Sequence, residues 1–300
     1  MKDRLVDAGF GLAWRAVRAL PESAAERIFR RIADRVWRSD GDGVRRLRSN
    51  LRRVVGPDTP ADELETLTRD AMRSYCRYWM ETFRLPSYSR SDILQRFTLD
   101  GWEVFDEHRE AGTGVVLAIP HSGNWDLAGA WVCARGWPLT TVAERLSVDG
   151  VYEKFLDFRR GLGMEILPHT GGERPAHVVL AQRVAAGHIV PLVADRDLTE
   201  QGVEVDFFGG KTRMPGGPAY LALRTGAPLY TVVLRYDGPR HCYGKIEGPI
   251  EFPATGRLSH RIAAGTQAVA DAFAAGIAAQ PADWHMLQRL WLDDPATPGS

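Results

Sequence analysis

The stretch LAIPHSGNWDLAGAW, residues 117–131, decides the fold. It opens in an apolar run that ends at Pro120, passes through His121, Ser122, Gly123 and Asn124, and enters an apolar segment with helical spacing at Trp125 and Asp126. The pattern predicts a buried strand, a loop of small residues and a helix. Five residues along a helix is a rotation of about 500°, so His121 and Asp126 cannot share a face of one helix. The pair makes sense only if the histidine stands before the helix, with Asn124 as N-cap and Asp126 in the first turn. A titratable group just past a strand end of an α/β sheet sits where ligands bind, and Ser122 and Gly123 leave room for one. The spacing alone is weak. Eight histidines and 38 acidic residues in 300 give about one chance match, and one is found. The plainer reading is a first-turn acid that serves the helix dipole beside a solvated loop histidine.

Outward from this stretch, short apolar runs alternate with helical segments. Strands are predicted at 114–119, 140–143, 164–167, 189–194, 204–208 and 229–235. Helices are predicted at 124–135, 150–162, 175–186, 216–225 and 259–280. The alternation defines an α/β class, with a central mixed, mostly parallel β-sheet flanked by helices. Residues 1–95 read instead as an N-terminal amphipathic helical layer. Leu5, Val6, Phe10, Trp14, Val17 and Leu20 mark one apolar stripe beside Arg4, Arg15 and Arg18. Segment 22–38 carries Ile28, Ile32, Val36 and Trp37 among Arg27, Arg30, Arg31, Arg35 and Arg38. Two arginine-rich amphipathic helices in succession suit an anionic membrane surface; helices packed on a core with solvated arginines are the plainer alternative. Segment 61–84 has the spacing of a core helix. With no repeat or long linker, residues 1–300 are expected to form a single domain, with 1–95 as a membrane-facing layer and 97–290 as the α/β core. A short Trp284–Leu292 segment closes the chain.

Composition sets limits. The 38 basic residues balance 38 acidic ones, so global charge does not point to nucleic acid. Only four of the basic residues are lysines, and arginines crowd the first 53 positions; guanidinium groups suit phosphate and carboxylate. The three cysteines lie far apart with no CxxC pair, which argues for a reducing compartment and against zinc or a disulfide framework. Residues 1–20 lack the apolar core of a secretory leader. No stretch approaches the roughly 20 apolar residues of a spanning helix, so the chain is expected to lie on a membrane rather than cross it.

A second strand end carries chemistry. The apolar run before Asp195-Arg196-Asp197 resembles the one before His121. An acid beside an imidazole fixes its tautomer and supports general-base action. We expect Asp195 to touch the His121 ring and Asp126 to support the loop or an arginine such as Arg159. Lys211 and Arg213 precede Pro215-Gly216-Gly217 and a helix start, where a phosphate could bind; a tight turn with a solvated lysine is the alternative. Backbone N–H groups near Gly123 or Asn124 are candidate oxyanion donors. Trp125, Leu127, Trp131 and the 114–119 strand are available to line an apolar channel, or to form plain core.

These blocks carry a resemblance. HSGNWD resembles the H-x4-D/E block of membrane-associated glycerolipid and lipid A acyltransferases. EKFLDFRRGLGMEILP (153–168) is similar to that superfamily's second block, and VADRD with VDFFGGKTRMPGGPAYLALRTGAPLYTV resembles the third and fourth. The likeness covers about residues 97–290. Within it, ADRDLTEQGVEVDFFGG is most similar to the phosphatidylinositol mannoside acyltransferases of actinobacteria. The resemblance implies that acyl-CoA is co-substrate, with no other cofactor and no metal. It implies a long chain, typically palmitoyl, passed to the 6-hydroxyl of the mannose on inositol O-2 of a phosphatidylinositol mannoside. His121 matches the catalytic histidine, Asp126 the block's acid, and Asp195 a position where the subfamily carries a glutamate. Glu144 and Arg159 match polar positions of the acceptor groove; Arg196, Arg213, Asn124 and Trp125 complete the expected substrate-binding set. With no G-x-S-x-G elbow, transfer is expected to be direct. A cytosolic donor and a lipid acceptor place the enzyme on the cytoplasmic face of the plasma membrane. A lipid A-type lauroyl/myristoyl or other glycerolipid acyltransferase, a non-enzymatic membrane adaptor and a histidine-based hydrolase are the alternatives.

Overall fold

The computed structural model describes residues 14–143, 149–168, 174–197, 199 and 201–294. A helical turn at 14–19 leads into α1 (Glu22–Ser39), α2 (Asp42–Val55) and α3 (Ala61–Arg84). Pro21 and Pro60 precede α1 and α3, and Glu22, Asp62 and Glu63 place negative charge in their first turns. α1 packs on α3 through Ala25 and Ala33, small enough to be fully buried. An ion pair fixes the contact, Arg73 to Asp34 at 2.7 Å, and Glu22 at the start of α1 pairs with Arg96, beyond α3, at 2.8 Å. Val44, Leu47 and Leu51 of α2 join Leu64, Ala71 and Met72 of α3 in a separate small core.

The α/β part follows as α4 (Arg90–Gln95), β1 (Phe97–Asp100), α5 (Glu103–Glu110), β2 (Val115–Ile119), α6 (Trp125–Arg135), β3 (Thr140–Ala143), α7 (Asp149–Gly161), β4 (Glu165–Pro168) and α8 (Ala176–Ala185). It continues through β5 (Ile189–Val193), β6 (Val203–Phe207), β7 (Gly210–Met214), α9 (Gly217–Thr225), β8 (Leu229–Tyr236), β9 (Cys242–Glu247) and α10 (Leu258–Ala279). The central sheet has the order β1-β9-β8-β2-β5, and only β8–β9 is antiparallel. This is the mixed, mostly parallel sheet that the alternation predicts. β3 and β4 form a parallel pair of their own, and β6 and β7 an antiparallel hairpin.

β2 is central because it is apolar on both faces. Val115, Leu117 and Ile119 enter the core shared with α6 and α7, while Val116 and Ala118 enter the core shared with α8, α9 and α10. All six expected strands are present, with ends shifted by a residue or so. β1, β7 and β9 escape the sequence reading because their sequences FTLD, GKTRM and CYGKIE are half polar; β1 and β7 bury alternate residues. One expectation is corrected. α10, Leu258–Ala279, is long and apolar enough to cross a membrane. Its Val269, Ala270, Phe273 and Ile277 are buried in the second core, so its apolar face serves packing.

Candidate active site

β2 ends at Ile119, and the chain turns through Pro120–Asn124 into α6. Gly123 takes a left-handed φ of 55°, and a Cβ there would sit 2.8 Å from the Leu234 side chain and 2.9 Å from its backbone. Only glycine meets both demands. Asn124 caps α6 as expected: its side chain accepts the Leu127 N–H at 2.9 Å. Asp126 falls in the first turn.

The turn delivers His121 to Asp195, which lies just past β5. His121 Nδ1 is 2.6 Å from Asp195 Oδ1, and the His121 backbone N–H donates to Oδ2 at 2.9 Å. Asp195 is fully buried, whereas the His121 side chain is 33% exposed. The acid is therefore sealed in while the ring can meet a substrate. Burial alone would raise the Asp195 pKa. The charge of His121 and the hydrogen bonds from His121 and Trp284 outweigh it and hold the carboxyl below its ordinary range. An ionised carboxylate on Nδ1 keeps the proton there and leaves the Nε2 lone pair for chemistry. The shorter aspartate reaches the ring without difficulty.

Asp126 turns away from the imidazole. It accepts from Arg159 Nε at 2.6 Å and from the Tyr78 hydroxyl at 2.9 Å. Tyr78, on α3, stacks on Trp125 with ring centroids 4.1 Å apart, and Trp125 meets His121 edge to face at 5.6 Å. Burial would lower the Arg159 pKa, but Asp126 raises it overall, so the guanidinium stays charged. The pair orients a cation at the wall of the site.

His121, Trp125, Arg159, Arg196 and Asp197 line one groove of about 750 Å³, which runs on past His177 and Tyr220 to the start of α9. It shares Trp125, Val142, Arg159 and Val193 with a narrow apolar cavity lined by Leu117, Ile119, Ala128, Met164 and Leu234. A larger surface groove, about 940 Å³ beside Trp14, Arg18 and Lys154, contains neither dyad residue.

Several expected site residues fall elsewhere. The Asn124 side chain is buried and committed to the helix cap and to Glu81 at 2.8 Å, so it does not reach substrate. Arg213 lies on the exposed face of strand β7 opposite Glu204, outside the groove, and Lys211 pairs with Asp206 at 2.8 Å. Leu127 and Trp131 are core, while Trp125, Leu117 and Ile119 do face the apolar cavity. Of the loop N–H groups expected to serve an oxyanion, that of Gly123 is already used: it donates to the Asp283 carbonyl at 3.0 Å. Glu144 lies outside the described residues. Among the described residues no three of His, Cys, Asp and Glu converge as a metal site requires.

Sequence reasoning misses the supports. Tyr78 and Glu81 come from a helix read as core, and Trp284, whose indole N–H donates to Asp195 Oδ2 at 2.9 Å, from a segment read as a closing tail. The signal available was three polar-capable residues, Asp283, Trp284 and His285, side by side after a long helix.

A histidine–aspartate dyad, its acid buried and its ring part-exposed, thus stands beside an apolar cavity and an arginine-bearing groove, an arrangement suited to proton transfer next to an apolar chain. The chain belongs to the bacterial lipid A biosynthesis acyltransferase family, whose description matches residues 8–293. It is an acyltransferase. Over 293 residues it is 45% identical to a phosphatidylinositol mannoside acyltransferase of Mycolicibacterium smegmatis, covering 97% of this chain and 93% of that one. Over 292 residues it is 47% identical to a phosphatidylinositol mannoside acyltransferase of Mycobacterium tuberculosis, covering 96% and 89%.

Proposed function

We propose that this chain moves a long acyl group, palmitoyl the first to test, from acyl-CoA to the 6-hydroxyl of the mannose on inositol O-2 of a phosphatidylinositol mannoside. The observation that carries the proposal is the dyad: His121, held on Asp195, lines the polar groove beside Trp125 and Arg159, which also line the apolar cavity. The names of the mycobacterial relatives support the acceptor.

His121 Nε2 takes the proton of the mannose hydroxyl as its oxygen attacks the thioester carbonyl. The tetrahedral intermediate collapses, the carbon–sulfur bond breaks, and the CoA sulfur leaves with the proton from Nε2. The acyl chain lies in the apolar cavity. Arg159 and Arg196 hold phosphate of CoA or of the lipid headgroup. Trp125 walls both spaces. No cofactor or metal enters these steps.

Transfer is direct. Among the described residues lining the groove there is no serine or cysteine. Burial pushes the thiols of Cys76 and Cys133 up to about 11, and that of Cys242 higher still, so none is a ready thiolate.

α1 supplies the lipid contact on this reading. Ile28, Ile32 and Val36 are 39–44% exposed in one stripe, and Arg27, Arg31 and Arg35 beside them are exposed too. Aliphatic insertion flanked by cations fits an anionic bilayer, with the enzyme on its cytoplasmic face where acyl-CoA is present.

The test is mass spectrometry of the product from purified enzyme, palmitoyl-CoA and a mannosylated phosphatidylinositol, with a Kdo-lipid acceptor in parallel. A palmitoylated mannoside is expected. Acylation of the Kdo-lipid alone would move the reading to a lipid A enzyme; free palmitate as main product would make it a hydrolase.

A further inference from the structure

The segment after α10 is stitched into the loop that carries His121. The Asp283 carbonyl accepts the Gly123 N–H at 3.0 Å, the His285 N–H donates to the His121 carbonyl at 2.7 Å, and Ser122 pairs with Trp284 as an antiparallel bridge. Trp284 itself is fully buried. Its ring is held by Phe207 at 5.9 Å and Phe208 at 6.2 Å, so the indole cannot swing away. Its N–H lies 2.9 Å from Asp195 Oδ2, the oxygen that also accepts the His121 backbone N–H. Oδ1 is left to the imidazole. Without the indole, the short carboxylate would be held only by the loop it has to orient. We propose that Trp284 is a positioning residue for acyl transfer: it fixes Asp195, and through Asp195 the tautomer and aim of His121. The proposal rests on His121 acting as general base.

Electrostatics gives the proposal a readout that packing alone does not. Each donor spreads the charge of a buried carboxylate. With the indole donor removed, the remaining charge falls more fully on the imidazole and favours its protonated form. The charged and titratable groups facing that ring are Asp195, His285 behind it, and Arg159, Arg196, Asp197 and His177 along the groove; all stay in place when only the indole donor is removed.

The experiment places β-(3-benzothienyl)alanine at position 284, which puts sulfur where the N–H was at nearly the same volume. We expect kcat to fall about tenfold or more, KM for acyl-CoA to stay within about twofold, and the acid limb of kcat/KM to move to higher pH. Site-specific 7-azatryptophan, which keeps the donor, restores the parental rate. Parental kcat and acid limb in the benzothienyl enzyme would overturn the proposal. In the unaltered enzyme, the Trp284 indole proton resonance should follow the titration of His121; a resonance flat through that titration would overturn it as well. His121→Ala run alongside separates the two claims. If it keeps the parental rate, the general-base reading fails; if it is inactive while the benzothienyl enzyme is not impaired, the Trp284 proposal alone fails.

Discussion

Gly123 shows how a single residue sets the site. Its φ of 55° turns the chain between β2 and α6, and Leu234 leaves no space for a side chain. Gly123→Ala should therefore destabilise the fold by about 2 kcal/mol. It should also lower kcat, because the loop that positions His121 must shift. Chemical denaturation and steady-state kinetics on one preparation check both effects. His121 and Asp195 were legible as residues, because titratable groups at the ends of two apolar strands stand out. The contacts expected of the two acids are those in the structure: Asp195 lies 2.6 Å from the imidazole, while Asp126 pairs with Arg159. Asn124 was legible as a cap, and the cap is what keeps its side chain from the groove.

At the scale of elements, the segment 283–285 and helix α1 each give a measurable expectation. His285 bonds Ser74 through Nε2 at 2.9 Å, and among the described residues its buried Nδ1 has no partner. Burial, with a further push from the charge of His121, lowers its pKa to about 3. In the unfolded chain it titrates near 6.5. Between those values unfolding takes up a proton, so stability falls as pH drops from about 6.5 toward about 3, and the loss at pH 5 is about 2 kcal/mol. His285→Gln should remove that component: its unfolding free energy should fall less than the parent's between pH 7 and pH 5. Helix α1 is tested by Ile28→Ser, Ile32→Ser and Val36→Ser together. Because these side chains are exposed, the unfolding midpoint should barely move. Binding to vesicles containing anionic lipid should weaken at least tenfold, as apolar insertion is lost. Flotation assays read this directly. The sequence displayed the stripe and its arginines, but which aliphatics stay outside was decided by α1 laying Ala25 and Ala33 on α3.

At the scale of the whole molecule, the sheet order brings the ends of β2 and β5 side by side, and every other layer serves that junction. α3 sends Tyr78 to Asp126 and Glu81 to Asn124; the C-terminal segment sends Trp284 to Asp195. Apolar periodicity made the central strands and flanking helices readable in advance. Long-range partners were not readable, because a buried tyrosine or tryptophan in sequence carries no mark of the polar atom it will meet. β1 and β9 were missed for a related reason: polar alternation there resembles loop until the neighbouring strand is in place. The most direct measurement is the rate of acyl transfer from palmitoyl-CoA to a phosphatidylinositol mannoside by folded His121→Ala enzyme. The account predicts a fall of about 10²–10⁴-fold with the unfolding midpoint unchanged. Turnover equal to the parent's would contradict it.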